Sequence, residues 1–227
     1  MTKPPPLSGV VFDAYGTLFD IHGVQTHLEA RFPGKGQAIS TMWREKQIEY
    51  SRLRTMSDRY VDFWQITGDA LDYACEFAGA PLDADARTSL LGVYERLPPH
   101  PEVPAVLREL AARGLKLAVL SNGNKSMLDA ALDAASLRPL FAHVLSVERV
   151  RKFKTAPEAY QLGPDAFGRP ASELMFVSSN GWDVVGAAWF GYPAYWINRT
   201  NAPAERLDPP AYSTGRTMND LVAHLQL

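Results

Sequence analysis

The chain has one cysteine, Cys75, in 227 residues, so an intramolecular disulfide is excluded and packing must hold the fold. The setting of that residue, Leu71-Asp72-Tyr73-Ala74-Cys75-Glu76-Phe77, reads as buried helix, where a thiol packs as a small apolar group. Long apolar runs are missing as well. None approaches the ~18 residues of a membrane-crossing helix, and Met1 to Pro6 lacks the apolar stretch of a secretory signal, so a cytoplasmic protein without a membrane partner is expected. Positive charge is not in excess: 23 Lys and Arg face 25 Asp and Glu, a net −2. Such a balance offers no field to nucleic acid or anionic lipid. Motifs with metals or cofactors behind them are also lacking. There is no Gly-rich dinucleotide fingerprint, Walker loop or paired His or Cys motif, and His22, His27, His100, His143 and His224 are scattered without metal-ligand spacing. No serine occupies a Gly-x-Ser-x-Gly elbow.

The composition that is present, 46% hydrophobic and 21% charged, is that of an ordinary globular protein. The length suits one large α/β domain, or one carrying a smaller insert. Val10-Val11-Phe12-Asp13 reads as a buried strand ending on a carboxylate and turned by Gly16. From Ile21 to Leu97 strand-like segments disappear. Ala38, Met42, Ile48 and Leu53 suggest one amphipathic helix with Trp43 and Arg44 on its flank. Val61, Trp64, Ala70, Ala74 and Phe77 suggest a second, and Ser89 to Tyr94 a third. Pro98-Pro99-His100-Pro101 closes this helical insert.

After the prolines, strands and helices alternate. Helices are predicted at Val103 to Arg113, Ser126 to Ala135, Ala156 to Phe167, Asp183 to Phe190 and Met218 to Leu225. The strands between them are Leu115 to Leu120, His143 to Ser146, Leu174 to Val177 and Ala194 to Ile197. Gly163-Pro164 is an awkward pair inside the third of those helices, where a kink or break is expected. Alternation of this kind implies βαβ units and a parallel sheet. The fold class is therefore α/β, a Rossmann-like parallel sheet flanked by helices. Residues 1–20 and 98–227 form the core domain, and 21–97 an inserted all-helical cap domain.

Three strands end in small polar groups: Asp13, Ser121-Asn122 and Ser178-Ser179-Asn180. In one parallel sheet these ends share the carboxyl edge, where open α/β sheets bind ligands. Taken singly, each group could equally cap a turn or helix. Arg151-Lys152-Phe153-Lys154 adds cations before a predicted helix, either a solvated surface run or a source of one cation reaching Asp13 to favour its ionised form. Spacing does not choose between Lys152 and Lys154.

Taken together, Asp13-Ala14-Tyr15-Gly16-Thr17-Leu18-Phe19-Asp20, Leu120-Ser121-Asn122-Gly123, Lys154 and Ser178-Ser179-Asn180-Gly181-Trp182-Asp183 resemble the motifs of the haloacid dehalogenase superfamily. Within it the chain is similar to the L-2-haloacid dehalogenases from about Gly9 to Arg199. Met42-Trp43-Arg44-Glu45-Lys46-Gln47 resembles the cap segment that carries their arginine, and Trp196-Ile197-Asn198-Arg199-Thr200 is also characteristic. Phosphatases of the superfamily place a second Asp two residues after the nucleophile as a general acid. Tyr15 stands there, and a phenol with a usual pKa of ~10 is a poor donor at neutral pH. Only Asp183 remains of the acidic groups with which those phosphatases hold magnesium, too few for a hard-cation site. The alternatives are a magnesium-dependent phosphatase of the same superfamily and a non-catalytic ligand-binding member.

The resemblance implies hydrolysis of short-chain L-2-haloacids with water, without cofactor or metal, giving 2-hydroxy acids of inverted configuration. Asp13 would attack the halogen-bearing carbon and form an ester, and Lys154 would keep it anionic. Ser121 and Asn122 would bind the substrate carboxylate, and Arg44 with Asn122 would face the halide. Asn180 and Asp183 would position water and Lys154, while Thr17, Ser178 and Tyr160 complete the polar shell. Ala14, Tyr15, Phe63 and Trp182 would surround the substrate. The resemblance favours Lys154 over Lys152, since Tyr160 stands six residues on, as in the family pattern. A homodimer is implied through the helical regions. Two departures from the family pattern stand out. Thr155 replaces the usual proline after the lysine, predicting a looser turn, and Glu45 replaces the usual Gln beside the arginine, opposing an anionic substrate unless it points outward or pairs with Lys46 or Arg44.

Overall fold

Strand β1 (Gly9–Phe12) is buried along its whole length, the requirement that a continuous apolar run meets at the centre of a parallel sheet covered on both faces. This is a computed structural model describing residues 7–208, 211 and 213–225; the proline-rich lead-in lies outside the described residues. β1 pairs in parallel with β2 (Lys116–Ser121) on one side and β4 (Leu174–Ser178) on the other, Phe12 standing opposite Val119 and Val177. β3 (His143–Ser146) extends the first side; β5 (Ala194–Ile197) and β6 (Ser213–Gly215) extend the second. Among the described residues the order is β3-β2-β1-β4-β5-β6, with every pairing parallel. Winding proceeds outward from β1 to β3, then restarts at β4 on the other side. Loops after β1 and β4 therefore diverge and open a crevice at the carboxyl edge.

Strand limits differ from the sequence reading: β2 runs from Lys116 to Ser121 instead of Leu115 to Leu120, and β4 continues to Ser178. β1 stops at Phe12, and Asp13 lies one step beyond, its N–H still donating to Val177 O at 2.9 Å. β6 was not anticipated: Ser213-Thr214-Gly215 contains no apolar alternation for a period argument to detect.

Between β1 and β2 the chain first runs through α1 (Gly23–Arg31), α2 (Gly36–Met56), α3 (Phe63–Phe77) and α4 (Ala84–Val93). Asp62 and Asp83 cap α3 and α4 by accepting from Gln65 N at 3.0 Å and Ala86 N at 2.7 Å, each cap worth ~1 kcal/mol. The chain leaves and re-enters the core side by side: Asp20 N donates to Pro98 O at 2.9 Å and His100 N to Leu18 O at 3.0 Å.

The buried face of α2 is not the expected one. Gly36, Ile39, Trp43, Gln47 and Ser51 face inward, whereas Ala38 and Leu53 are exposed and Met42 and Ile48 half-buried. Apolar counting places Gln and Ser outside, but α3 satisfies them here. Trp43 Nε1 donates to Thr67 O at 2.8 Å and Gln47 Nε2 to Thr67 Oγ1 at 3.0 Å, and a satisfied polar group can be buried. On α3, Val61 precedes the helix and Phe77 is exposed; the core side is Phe63, Ile66, Ala70, Leu71, Ala74 and Cys75. Cys75 is buried as expected, and that burial, with the charge of Asp72, pushes its thiol up to about 11.

Five further helices cover the sheet: α5 (Val103–Ala112), α6 (Lys125–Ala134), α7 (Pro157–Phe167), α8 (Gly181–Phe190) and α9 (Met218–Leu225). Despite Gly163-Pro164, α7 is one helix, starting on Pro157 and ending on Gly168 at φ 61°, as helix starts and stops favour. Pro164 has no N–H to give the carbonyl four residues back. Tyr192 fills the gap, its hydroxyl donating to Tyr160 O at 2.7 Å. Among the described residues no helix is long and apolar enough to cross a membrane.

The load on the core is testable on α5. Leu110 is fully buried near the C-terminal end of α5, the end that leads into the start of β2. Leu110→Ala should lower stability by about 2–5 kcal/mol in chemical denaturation, while leaving the catalytic parameters of the remaining folded protein unchanged.

Candidate active site

Asp13 sits at the tip of β1 with 6% of its surface exposed. The following loop folds over tightly: Ala14 O accepts from Thr17 N, Leu18 N and Phe19 N at 3.2, 2.9 and 3.1 Å. Gly16, at φ 92°, takes a conformation that costs other residues strain. The turn returns Thr17 onto the carboxylate it follows, Thr17 Oγ1 donating to Asp13 Oδ2 at 2.9 Å. The same oxygen accepts from Asn180 Nδ2 at 2.9 Å and Ser178 Oγ at 3.4 Å. Oδ1 meets Lys154 Nζ at 3.2 Å.

Lys154 is buried, and its ammonium is shared between Asp13 and Asp183, whose Oδ2 lies 2.9 Å away. Burial disfavours this charge, but the two carboxylates outweigh burial and hold the amine above the ordinary lysine value. Tyr160 steadies the acid, its hydroxyl donating to Asp183 Oδ1 at 2.7 Å. Lys152 is elsewhere, paired with Asp58 on the insert. The turn after Lys154 is not loose despite Thr155. Ala156 N closes it by donating to Phe153 O at 3.0 Å, and ahead of it Lys154 N donates to Asn122 Oδ1 at 2.9 Å and Phe153 N to Thr55 Oγ1 at 3.0 Å.

A cavity opens above Asp13. Asp13, Tyr15, Arg44, Ile48, Ser51, Phe63, Ser121, Asn122, Asn180 and Trp182 line it, and its space is about 330 Å³ counting solvent at the mouth. Ser121 accepts from Gly123 N at 3.1 Å. Asn122 has its oxygen committed to Lys154 N, so its NH2 is the end left to donate. Ala14 is buried in the turn, and Thr17, Lys154, Tyr160, Ser178 and Asp183 stand behind Asp13 rather than on the cavity wall.

Arg44 reaches the cavity from α2. Its Nη2 donates to Asn180 Oδ1 at 3.3 Å, although Asn122 lines the same cavity. Asn180 thus joins the arginine of the insert to the carboxylate of the core. Glu45 is exposed on an outer rim with Glu49, Arg52 and Trp182, and Lys46 pairs with Glu49 at 2.8 Å. Glu45 therefore points outward.

Ile48 and Ser51 were missed as wall residues, and the helical spacing 44, 48, 51 was the available signal. Tyr15 packs 5.9 Å from the Tyr94 ring. Burial, with Tyr94, Glu95 and Asp13 nearby, pushes its phenol far above the ordinary value, so it keeps its proton. Among the described residues no cluster of three metal-ligating side chains occurs.

Such an arrangement offers a fixed carboxylate, a cation behind it, and amide, hydroxyl and guanidinium donors across a small space. A family profile for haloacid dehalogenase-like hydrolases matches residues 7–191. The sequence is 48% identical over 201 residues to an (S)-2-haloacid dehalogenase of Pseudomonas sp. (strain YL), covering 88% of this chain and 87% of that one. The crystal structure of L-2-haloacid dehalogenase RSc1362 superposes with TM-score 0.97 at 48% identity, over 98% of this chain and 100% of the other. An L-2-haloacid dehalogenase from Xanthobacter autotrophicus with chloropropionic acid covalently bound gives TM-score 0.90 at 36% identity, over 97% and 98%.

Titration of Asp183 sets a pH limit. Burial raises its carboxyl, the charge of Lys154 pulls it back and Asp13 raises it again, leaving it at about 6 instead of 3.8. An acid raised in this way gains its proton as pH falls through about 6, and Lys154 then loses one of its two counter-charges. Initial rates of turnover should therefore fall along an acid limb that lies above the ordinary carboxylate range; a limb within that range, near 4, would reject this assignment.

Proposed function

The chain belongs to the haloacid dehalogenase-like hydrolases, and from that premise we propose how it acts as an (S)-2-haloacid dehalogenase. It hydrolyses short L-2-haloacids to 2-hydroxy acids and halide through an aspartyl ester. The observation that carries the assignment of roles is Asp13, a buried carboxylate held by Thr17, Asn180 and Lys154 and facing Arg44 across the cavity.

The substrate carboxylate is bound by the Ser121 hydroxyl and the Asn122 amide, which leaves C2 over Asp13. A carboxylate oxygen of Asp13 forms a bond to C2 from the side opposite the halogen. The carbon–halogen pair leaves with the halide, and configuration inverts. Arg44 stabilises the departing anion, a use of a fixed charge where charge develops. Water then adds to the ester carbonyl of Asp13, and the acyl–oxygen bond breaks. The 2-hydroxy acid leaves, Asp13 returns with one oxygen from water, and a proton is released to solvent. Asn180 and Asp183 position water and Lys154. Tyr15, Phe63, Ile48 and Trp182 form the apolar wall. A buried phenol that keeps its proton suits a halide, which leaves without needing an acid, and does not suit an alcohol leaving group.

The domain division belongs to the same proposal, with 1–20 and 98–227 as the core and 21–97 as the cap that delivers Arg44. So does a cytoplasmic setting, checked by fractionating cells that express the protein. A homodimer through the helical regions is supported by Leu53, Met56, Tyr73 and Phe77, large apolar side chains exposed on the adjacent helices α2 and α3. Phe77→Asp combined with Leu53→Asp should halve the sedimenting mass; an unchanged mass would place any interface elsewhere.

Two measurements test the chemistry. A single turnover in heavy-oxygen water should place the label in the Asp13 carboxylate before any reaches product; label in product alone would exclude the ester. Asp13→Asn should abolish halide release, with a loss of at least ~10³-fold, while a chelator leaves the wild type unchanged.

A further inference from the structure

A buried polar network ties α2, the helix that carries Arg44, to α3 and to Tyr94. Gln47, one turn along α2, is fully buried, and its Nε2 donates to Thr67 Oγ1 at 3.0 Å. Its Oε1 accepts the Tyr94 hydroxyl at 3.2 Å. Thr67 in turn donates to Phe63 O at 2.7 Å, and its own carbonyl accepts Trp43 Nε1 at 2.8 Å. The network thus ties the residue preceding Arg44 and the backbone of the wall residue Phe63 into one unit.

Tyr94 is its outer end and the link to the core. It follows α4, where the chain turns back toward Pro98, and its ring lies 5.0 Å from Trp43 on one side and 5.9 Å from Tyr15 on the other. Tyr15 is two residues from Asp13. Tyr94 therefore touches both the helix that carries the arginine and the loop that carries the nucleophile, yet it is not on the cavity wall. Burial raises its phenol, so it stays protonated, and the charge of Arg44 acts on it. A leucine at Gln47 would fill a helix interface at less risk, because an amide there must find every partner. What satisfied polar bonds add is a single allowed arrangement, and a catalytic group displaced by ~1 Å can lose ~10²-fold in rate.

We infer that Tyr94, held by Gln47, is a positioning residue that fixes the Arg44 guanidinium relative to Asp13 and so sets how well the departing halide is stabilised. This rests on the dehalogenase reading above. Chloride needs more stabilisation on leaving than bromide, so a poorly placed Arg44 penalises the chloro acid more.

The experiment compares kcat and KM for L-2-chloropropionate and L-2-bromopropionate in the full chain and in Tyr94→Phe and Gln47→Met. Each variant should lower kcat about 10-fold for the chloro acid and about 3-fold for the bromo acid, with KM changed less than about twofold and the thermal midpoint reported alongside. In an Arg44→Lys background, Tyr94→Phe should widen the bromide-to-chloride ratio no further, the non-additivity expected of coupled groups. An unchanged ratio in either folded single variant, or an equal loss with both acids, would overturn the inference and leave Tyr94 a packing residue. If one variant fails to fold, the other decides. Wild-type protein that releases halide from neither acid overturns the dehalogenase reading itself, and the inference with it.

Discussion

An ammonium group buried between two carboxylates is the constraint around which the molecule is arranged. Lys154 lies within 3.2 Å of Asp13 and 2.9 Å of Asp183, and taking three charges out of water costs several kcal/mol per ion unless geometry and hydrogen bonds offset it. The surroundings supply those bonds. Thr17, Ser178 and Asn180 donate to Asp13, Tyr160 donates to Asp183, and the Phe176 ring lies 4.9 Å from the ammonium. Two acids facing one base leave a net negative charge, and that surplus is where a nucleophilic carboxylate comes from.

The rest of the core serves to hold those groups still. Pro164 removes a helical hydrogen bond in α7, Tyr192 takes up the freed Tyr160 carbonyl, and Tyr160 reaches Asp183. A hydrogen bond missing from one continuous helix is thereby turned into a fixed place for Tyr160, which holds the acid beside the lysine. On the other side, Arg199 pairs with Glu102 at 2.6 Å and donates to Thr17 O at 3.3 Å, pinning the turn that brings Thr17 over Asp13. Function at this edge comes from preorganisation: donors stand in place before any substrate arrives.

The insert contributes by reaching across rather than by lying in the sheet. Asn180 holds Asp13 with its nitrogen and Arg44 with its oxygen, so core and insert meet on one amide. Closure over the cavity follows from Trp182, over which the Arg52 guanidinium stacks at 5.1 Å, and from Phe63 and Ile48 on the helical side. Bringing a cation down onto a site built on a carboxylate is electrostatically favourable, which lets a separate layer complete the site.

Much was legible in the chain alone. The apolar runs before Asp13, Ser121 and Ser178 are buried on both faces in the sheet, so their composition had to be uniform, and uniform runs are easy to read. The motifs at their ends needed only the rule that parallel strands share a carboxyl edge. Less visible was anything decided by pairing across space. The inward face of α2 passes through Gln47 because Thr67 and Tyr94 satisfy it. Asn180 bridges Asp13 and Arg44, and Ser213 to Gly215 becomes a strand only because β5 lies beside it. The sequence by itself determined which residue types gather at the sheet edge, since burial and periodicity are local. Tertiary structure alone decided which donor meets which acceptor, because a hydrogen bond depends on distances between segments that no spacing along the chain encodes.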